Sequence, residues 1–366
     1  MIFLASVTVV EVLKWIGYVL VALLCLMLMI IIHETGHYVV GKLFHFKILE
    51  FSIGFGPKIF QKENKETGEL FSLRWIPLGG YCQFEGEDED GKDNPGAFNS
   101  KPPWQRILVL IAGASMNLLS ALIIVTIFFV AYGEFVPKVY QSYDYVDTQY
   151  TQQLQAEDII YKVDGQDMYC LSNPQKLRKA ITGKEDVVIT VGRDGEIMDI
   201  NVHLAEYAGE VETVDQGVVE VHGTGIGIIV YYQQVKLPFF KAFAHSFEFT
   251  WDNIALIFKT FVSLFKGTAK VSESVGGTVT AISALSQLAQ NGFAAVMYGL
   301  CVLSVSIGVM NLLPFPALDG CRTIFCIVEW IRRKPNNRKI EAIINLAGLI
   351  FLMLMAVTFD LLHFLG

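Results

Sequence analysis

Residues 33–37 read His-Glu-Thr-Gly-His, and this segment holds the side chains in the chain that are best suited to chemistry. On a helix, His33 and His37 lie four residues apart on one face, where two imidazoles can bind a single zinc ion. Glu34 lies one position further round, beside the open part of such a site, where its carboxylate can accept a proton from water. The spacing therefore predicts a metal site with two histidine ligands and Glu34 as the catalytic base.

The segment ends an apolar run from Trp15 to Ile32 that contains no charged residue. A helix of that length extends about 27 Å, which is close to the thickness of a bilayer core. Ionisable groups at this depth are costly unless they are paired, neutralised or functional. The alternative interpretation is two packed histidines and a buried glutamate without a metal. The cost of placing ionisable groups at membrane depth counts against this alternative.

A catalytic zinc ion usually has three protein ligands, so a third ligand must come from elsewhere in the chain. His45 and Glu50 are the nearest candidates, but His45 lies about 12 Å beyond His37 along a continuous helix. Asp319 is the better candidate, because it ends the segment NLLPFPALDG, in which two prolines interrupt an apolar helix. Backbone N–H and C=O groups that lose their helical hydrogen bonds in this way are tolerated at membrane depth only where protein or a water-filled cavity surrounds them.

Four apolar segments predict a polytopic α-helical membrane protein, with spans at 15–43, 107–132, 293–313 and 342–359. The chain is 53% hydrophobic with a mean hydropathy of +0.45, which is too apolar for an ordinary soluble protein of 366 residues. Its net charge of −8 argues against a nucleic-acid partner.

The loops differ in their content of Lys and Arg. Residues 42–103 contain eight basic residues and 318–341 contain six, whereas 133–235 contains seven against seventeen acidic residues. The positive-inside rule therefore places the first two segments in the cytoplasm and the third outside. We expect a multi-pass protein of the cell membrane, with the metal site towards the cytoplasmic side.

The segments between the spans predict further elements. Residues 51–84 indicate a β-hairpin and a third strand, with a bend at Gly79–Gly80. Residues 136–205 indicate a small α/β domain, with a hairpin turn at Asp194–Gly195 and a helix at 172–183 that Ser172 or Asn173 caps. Residues 239–266 carry their charges on one face, which favours an amphipathic helix at the membrane interface over a tilted fifth span.

These motifs together resemble the site-2 protease family of intramembrane zinc metalloproteases, in particular the bacterial branch that has a PDZ domain and cleaves anti-sigma factors. The resemblance is carried by His33-Glu34-x-x-His37, by Asn311-x-x-Pro314 and by Leu318-Asp319-Gly320. Further matches are GFGP (54–57), GGY (79–81), Gly113-x-x-x-Asn117, SVGG (274–277) and LQAEDIIYKVDGQ (154–166), the last being similar to the PDZ segment.

The chain departs from the family pattern at four positions. Ala114 and Thr278 stand where the family often has proline, and Cys321 and Arg322 stand where Gly-His often follows the Asp-Gly pair. None of the four is a predicted metal ligand, so the predicted metal site is unaffected.

The resemblance implies a zinc metalloendopeptidase with one catalytic Zn²⁺ ion, bound by His33, His37 and Asp319. It also implies about four transmembrane helices, a membrane-associated β-hairpin and one extracytoplasmic PDZ-like domain. The substrates would be single-span membrane proteins in the lipid bilayer, cut as the second step of regulated intramembrane proteolysis. The domain would either exclude substrates that an earlier protease has not trimmed, or bind the C-terminus that such a cut exposes.

Substrate-handling roles are expected for six residues, whose amides or backbone would hold an unwound peptide. These residues are Asn311, Asn117, Gly113, Pro314, Gly79 and Gly80. Asn117 has a structural alternative as a contact between helices, and Asn311 has one as a cap of the interrupted helix.

The predicted segments run in a simple order along the chain. They are the first span (1–45), the hairpin and acidic loop (46–103), the second span (104–133), the extracytoplasmic region (134–235), the amphipathic helix (236–292), the third span (293–320), a cytoplasmic loop (321–341) and the fourth span (342–366).

Two other classes of protein also place unusual residues in a membrane. An ion-coupled transporter has broken helices at the midplane, but it predicts inverted repeats, and the sequence shows no internal symmetry. A membrane-anchored PDZ scaffold explains residues 136–205 but leaves Glu34 unexplained. The protease is therefore the favoured function.

Overall fold

A computed structural model describes residues 9–87, 94–213, 217–268 and 276–365. Part of the acidic loop (88–93) and the first two residues of the SVGG segment lie outside this description. The described chain forms two compact units. The first consists of residues up to Val125 and from Asn253 onward, and the second is Thr126–Asp252.

Eight α-helices are described. They are α1 (Val9–Leu43), α2 (Pro103–Ala131), α3 (Lys176–Ile181), α4 (Phe239–Phe265), α5 (Thr278–Gln290), α6 (Phe293–Leu312), α7 (Asp319–Arg332) and α8 (Arg338–Leu365). By length and composition, α1, α2, α6 and α8 can each cross a membrane, which confirms the four predicted spans. The amphipathic helix at 239–265 is not among these candidates.

Helices α1 and α2 approach each other closely because small residues face each other. A Cβ atom on Gly36 would lie 2.4 Å from the carbonyl oxygen of Ala112 and 2.9 Å from the Cα of Gly113. Small residues allow this kind of close backbone packing between helices in membranes. The contact aligns the middle of α2 with the histidine-bearing end of α1.

The predicted hairpin is formed by β1 (Ile48–Glu63) and β2 (Leu70–Phe84), which are antiparallel. The turn contains Gly68 at φ +72°, a conformation that favours glycine. The predicted third strand is the last part of β2, beyond Gly79, and residues 80–84 pair with 48–53. In the described part of the chain, no strand pairs with the other edge of residues 80–84.

The second unit contains an antiparallel sheet of β3 (Glu134–Ser142), β4 (Ile159–Val163), β5 (Gln166–Asp167), β6 (Asp186–Arg193), β7 (Glu196–His203) and β10 (Ile228–Val235). The strand order is β10-β3-β4-β6-β7, and β5 pairs with β4. A separate hairpin consists of β8 (Ala205–Thr213) and β9 (Gly217–Gly225).

The boundary predicted for this domain, 136–205, is therefore too short. Strand β10 lies beyond residue 205, yet it pairs with β3 along its whole length, from Ile228 opposite Ser142 to Val235 opposite Glu134. The pairing is non-local in sequence, so the pattern of β10 alone did not reveal it. The sheet domain is accordingly residues 134–235.

Local turn chemistry in this domain was predicted in part. Asp194 and Gly195 both have positive φ, at 49° and 86°, as a two-residue hairpin turn requires. The observed helix, Lys176–Ile181, is shorter than the predicted one, and its N-cap residue Gln175 makes no side-chain capping bond. The predicted cap Ser172 instead donates a hydrogen bond of 2.7 Å to Asp252. A tertiary partner on α4 has replaced the local one.

Glu134 opens β3 and is almost fully enclosed, with 3% of its surface exposed. Burial, together with the negative charge of Glu248, raises the pKa of Glu134 from 4.5 to about 8, although backbone N–H groups of Leu171 and Phe135 act in the other direction. The folded protein therefore holds a proton on this carboxyl between about pH 4.5 and 8, where the unfolded chain does not.

We expect the free energy of unfolding to fall as the pH rises through this window, by up to about 1.4 kcal/mol per pH unit. Glu134→Gln retains an acceptor for the N–H of Leu171 and cannot ionise, so its melting temperature should fall less between pH 6 and pH 8 than that of the wild type. Glu196→Gln, at an exposed strand end, is the matched control. An identical loss of melting temperature in all three proteins would contradict the prediction.

Candidate metal centre

The two histidines of α1 and the first residue of α7 bring three donor atoms together. Nε2 of His33 lies 3.2 Å from Nε2 of His37 and 3.0 Å from Oδ2 of Asp319. Nε2 of His37 lies 3.3 Å from the same carboxylate oxygen. Both imidazoles are buried, with 7% of each residue exposed. The three predicted metal ligands are therefore adjacent, although Asp319 is 286 residues from His33.

The spacing of these donors fits a zinc ion. Bonds of about 2.0–2.1 Å in a tetrahedral arrangement place neighbouring donor atoms about 3.3 Å apart. The observed separations, 3.0 to 3.3 Å, are close to that value. Two imidazoles and one carboxylate are also a ligand set known from catalytic zinc sites, where the fourth position takes water.

The Nδ1 atoms of the two histidines have partners on α2. Nδ1 of His37 donates to the carbonyl oxygen of Val109 over 2.8 Å, which leaves the Nε2 lone pair free to face a metal. Nδ1 of His33 lies 3.3 Å from the side-chain amide of Asn117, whose buried Oδ1 atom has no hydrogen-bond partner among the described residues. A 180° flip of the Asn117 side-chain amide places Oδ1 where it accepts the Nδ1 hydrogen of His33. The Asn117 oxygen and the His33 Nδ1–H group then both have a partner.

The position of Asn117 differs from the one expected for a substrate-handling residue. It is fully buried between the helices and is not among the residues that line the cavity at the metal centre. Its backbone oxygen also accepts hydrogen bonds from the hydroxyl groups of Ser120 and Ser304. The geometry favours a role in orienting His33.

Gly113 provides the space in which the imidazoles lie. A Cβ atom there would be 2.4 Å from Nε2 of His37 and 2.7 Å from Nε2 of His33, both far below van der Waals contact. Gly113 was predicted to handle substrate, and the structure places it against the metal ligands instead. Sequence spacing alone did not reveal this, because the contact depends on how α1 and α2 pack.

Asp319 reaches the histidines because the chain between α6 and α7 is not helical. Residues 313–318 contain Pro314 and Pro316, and Ala317 has a φ of +77°. The N–H of Ala317 donates to Oδ1 of Asn345 in α8 over 3.3 Å, which satisfies one backbone group that the break frees. Pro314 interrupts the helix, as predicted, but it does not line the cavity.

Two glycines allow the break to pack tightly. A Cβ atom on Gly320 would lie 2.3 Å from the carbonyl oxygen of Leu313, and one on Gly348 would lie 2.6 Å from that of Pro316. Gly320 belongs to the Leu-Asp-Gly motif, whereas Gly348 and Asn345 were not recognised from the sequence. Asn345 could have been recognised as a polar residue within an apolar span.

Ion pairs also fix helix α7 near its C-terminal end. Glu329 binds Arg106 of α2 over 2.7 Å and Arg338 of α8 over 2.9 Å. The Arg106 side chain is 1% exposed, so loss of its partner would leave a buried charge uncompensated. These contacts hold the helix that carries Asp319 against α2 and α8.

A cavity of about 300 Å³ opens at the three donors. Glu34 lines it, and its carboxylate accepts a hydrogen bond from the backbone N–H of Cys82 in the unpaired edge of β2. Gly80 also lines it, and a Cβ atom there would lie 3.3 Å from the Cγ of Glu34. The predicted base, the metal ligands and an open strand edge therefore share one cavity.

The remaining predicted residues fall into two groups. Asn311 lines the cavity, and its Nδ2 donates to the carbonyl oxygen of Ile307 over 3.0 Å. Gly79 lies outside the lining, where a Cβ atom would be 1.9 Å from the ring of Phe55. Neither rejected candidate ligand belongs to the cluster, because His45 is exposed and Glu50 pairs with Arg74 over 2.9 Å.

Comparisons with known proteins identify a family and several relatives of this chain. The sequence profile of Peptidase family M50 matches residues 21–355. A protein of Fusobacterium nucleatum named as a zinc metalloprotease is 32% identical over 349 residues, covering 91% of this chain and 94% of the relative. One of Clostridium perfringens with the same kind of name is 32% identical, covering 92% and 95%. Zinc metalloprotease RasP of Oceanobacillus iheyensis is 27% identical, covering 89% and 93%.

We expect Gly113→Ala to weaken zinc binding at least about tenfold, because the new methyl group would displace the Nε2 atoms of both histidines. Gly17→Ala is the control, since a Cβ atom there meets nothing within 4 Å. Zinc content is measured on purified protein after equilibration with a chelator of known affinity. Full zinc retention by Gly113→Ala would contradict the close packing of α2 on the histidines.

Asp319→Ala should lower zinc content, because it removes one of three donors, whereas His45→Ala should leave it unchanged. Circular dichroism on the same preparations checks that both variants keep their helices. Loss of zinc from His45→Ala, with retention by Asp319→Ala, would overturn Asp319 as the third ligand.

Proposed function

Because the chain belongs to peptidase family M50, the site-2 proteases, and is a zinc metalloprotease, we propose that it hydrolyses peptide bonds within or next to the transmembrane segments of membrane proteins. One observation carries the proposal. The donors of His33, His37 and Asp319 lie within 4.8 Å of one another, at the end of a helix long and apolar enough to cross a membrane.

In the proposed mechanism, His33, His37 and Asp319 hold the zinc ion. When bound, zinc supplies acidification of water and polarisation of the carbonyl that is attacked. Glu34 accepts a proton from the attacking water at its carboxylate and then transfers it to the nitrogen of the leaving amine. The hydrogen bond from the Cys82 N–H holds that carboxylate at the cavity.

A helical substrate must unwind before its peptide carbonyl can be attacked, because helical hydrogen bonds occupy the backbone. The outer edge of residues 80–84, which no described strand covers, lines the same cavity as Glu34. It offers an extended peptide its backbone groups other than the Cys82 N–H, which Glu34 binds. We propose that the substrate adds to this edge as a strand, next to Gly80. Asn311, which also lines the cavity, would bond the backbone groups that unwinding frees.

The proposed substrates are single-span membrane proteins, and the proposed reaction is the second cut of regulated intramembrane proteolysis. The sheet domain, 134–235, is acidic in sequence and contains the PDZ-like segment 154–166. Its proposed place is outside the cell membrane, and its proposed task is substrate selection, by size or by binding a newly exposed C-terminus. The active site is proposed to face the cytoplasmic side, where the basic loops lie.

The rival functions account for less of the structure. An ion-coupled transporter would explain charged groups in a span, but not a three-donor cluster with the spacing of a zinc site. A scaffold would explain the sheet domain, but not a carboxylate held beside that cluster.

We expect Glu34→Gln to retain zinc, because the residue is not a ligand, and to lose cleavage by about 10²- to 10⁴-fold, because an amide cannot accept the proton. It should still bind a single-span substrate, which is measured by co-purification. His33→Ala should lose both zinc and cleavage. Zinc content and cleavage of a single-span reporter are measured on the same preparations, and near-wild-type cleavage by Glu34→Gln would refute the proposed proteolysis.

A further inference from the structure

A partly buried ion pair forms part of the lining of the cavity at the three donors. The guanidinium of Arg322 donates a hydrogen bond to the carboxylate of Glu87, and both side chains line the cavity that Glu34 lines. The Arg322 side chain is 31% exposed and that of Glu87 is 13% exposed. Among the described lining residues, Arg322 is the only Lys or Arg. The lining of the cavity therefore contains one cation and one anion side by side.

Both partners have fixed positions relative to the reacting groups. Arg322 lies three residues after Asp319 in α7, which is about one helical turn. Glu87 follows β2, and its turn is held by the side-chain amide of Asn99, which donates to the carbonyl oxygens of Gly86 over 2.6 Å and Glu87 over 3.1 Å. The pair thus links the helix that carries the third metal ligand to the end of the open strand edge.

The distance from the catalytic base to the pair can be expressed in substrate residues. Gly80 faces Glu34, and Phe84 is four residues further along the strand, or about 13 Å at 3.3 Å per residue. Oε2 of Glu87 lies 3.5 Å from the backbone nitrogen of Phe84. A peptide extended along this edge would therefore meet the pair about three to five residues from the bond that is cut.

We propose that Arg322 and Glu87 form a specificity subsite for a polar or charged substrate residue at that distance. An apolar side chain would desolvate the pair without replacing any of its hydrogen bonds, whereas an acidic side chain can bind Arg322 and a basic one can bind Glu87. Arg322 makes acidic residues acceptable, because without it they would face the carboxylate of Glu87 alone.

The subsite rests on the proposed protease function. Reporters with opposite charges, cleaved by variants that each lack one charge of the pair, test it. Single-span reporters carry Glu, Gln or Lys at one position, moved from three to five residues on either side of the mapped cut. For Arg322→Gln, the ratio of kcat/KM for Glu over Lys should fall on the order of tenfold, because Glu87 is left uncompensated. For Glu87→Gln, the same ratio should rise by a similar factor, because one carboxylate beside Arg322 is removed.

Two controls separate recognition from a general loss of structure. Arg322→Lys keeps the cation and should keep the wild-type ratio. Glu85→Gln removes a carboxylate two residues from Glu87 that pairs with Lys47 outside the cavity, and it should not move the ratio. Zinc content confirms that each variant retains its centre. A merely structural pair would lower kcat/KM for all reporters alike.

The outcomes distinguish the subsite from the proposed function. If the wild type cleaves no reporter, or Glu34→Gln cleaves the Gln reporter as well as the wild type does, the protease function fails. If the Gln reporter is cleaved as expected but the Glu-to-Lys ratio is unchanged, or moves in the same direction in Arg322→Gln and Glu87→Gln, only the subsite is overturned. Opposite shifts in the two variants support it.

Discussion

The structure depends on bringing two imidazoles and a carboxylate to one point among apolar helices. Such groups are expensive at membrane depth unless each has a partner, and here every partner is supplied by packing. Gly113 and Gly36 let α2 approach α1 closely enough for Val109 and Asn117 to bind the outer ring nitrogens. The close contact of α1 and α2 is therefore a condition of the metal centre as well as of the fold.

The same constraint explains the interrupted segment between α6 and α7. A continuous helix would carry Asp319 away along its axis, whereas the break at Pro314 and Pro316 turns the chain back towards His33. Breaking a helix frees backbone groups, and Asn345 together with the close contact at Gly348 accommodates them. The third donor is thus positioned by α8, a helix that contributes no ligand.

The hairpin supplies what a hydrolytic site between helices lacks, namely backbone that can bind an extended peptide. Because residues 80–84 pair on one side only within the described chain, their other edge faces the cavity that Glu34, Asn311 and the proposed metal ligands line. The Arg322–Glu87 pair lies at the end of this edge and connects it to α7. The proposed catalytic groups and the proposed recognition groups, which come from distant parts of the chain, therefore line one cavity.

The sequence by itself determined the features that depend on local spacing or composition. The four spans follow from apolar length, His33 and His37 from their separation on one helix, the turn at Asp194–Gly195 from residues that accept positive φ, and Asp319 from the prolines before it. Tertiary structure decided the rest, because those contacts join residues far apart in sequence. Strand β10 pairs with β3, Asn117 and Gly113 lie against the histidines, Ser172 binds Asp252 instead of capping a helix, and Arg322 meets Glu87 across 235 residues. Periodicity reports which face of an element is apolar, but it does not report which partner covers that face.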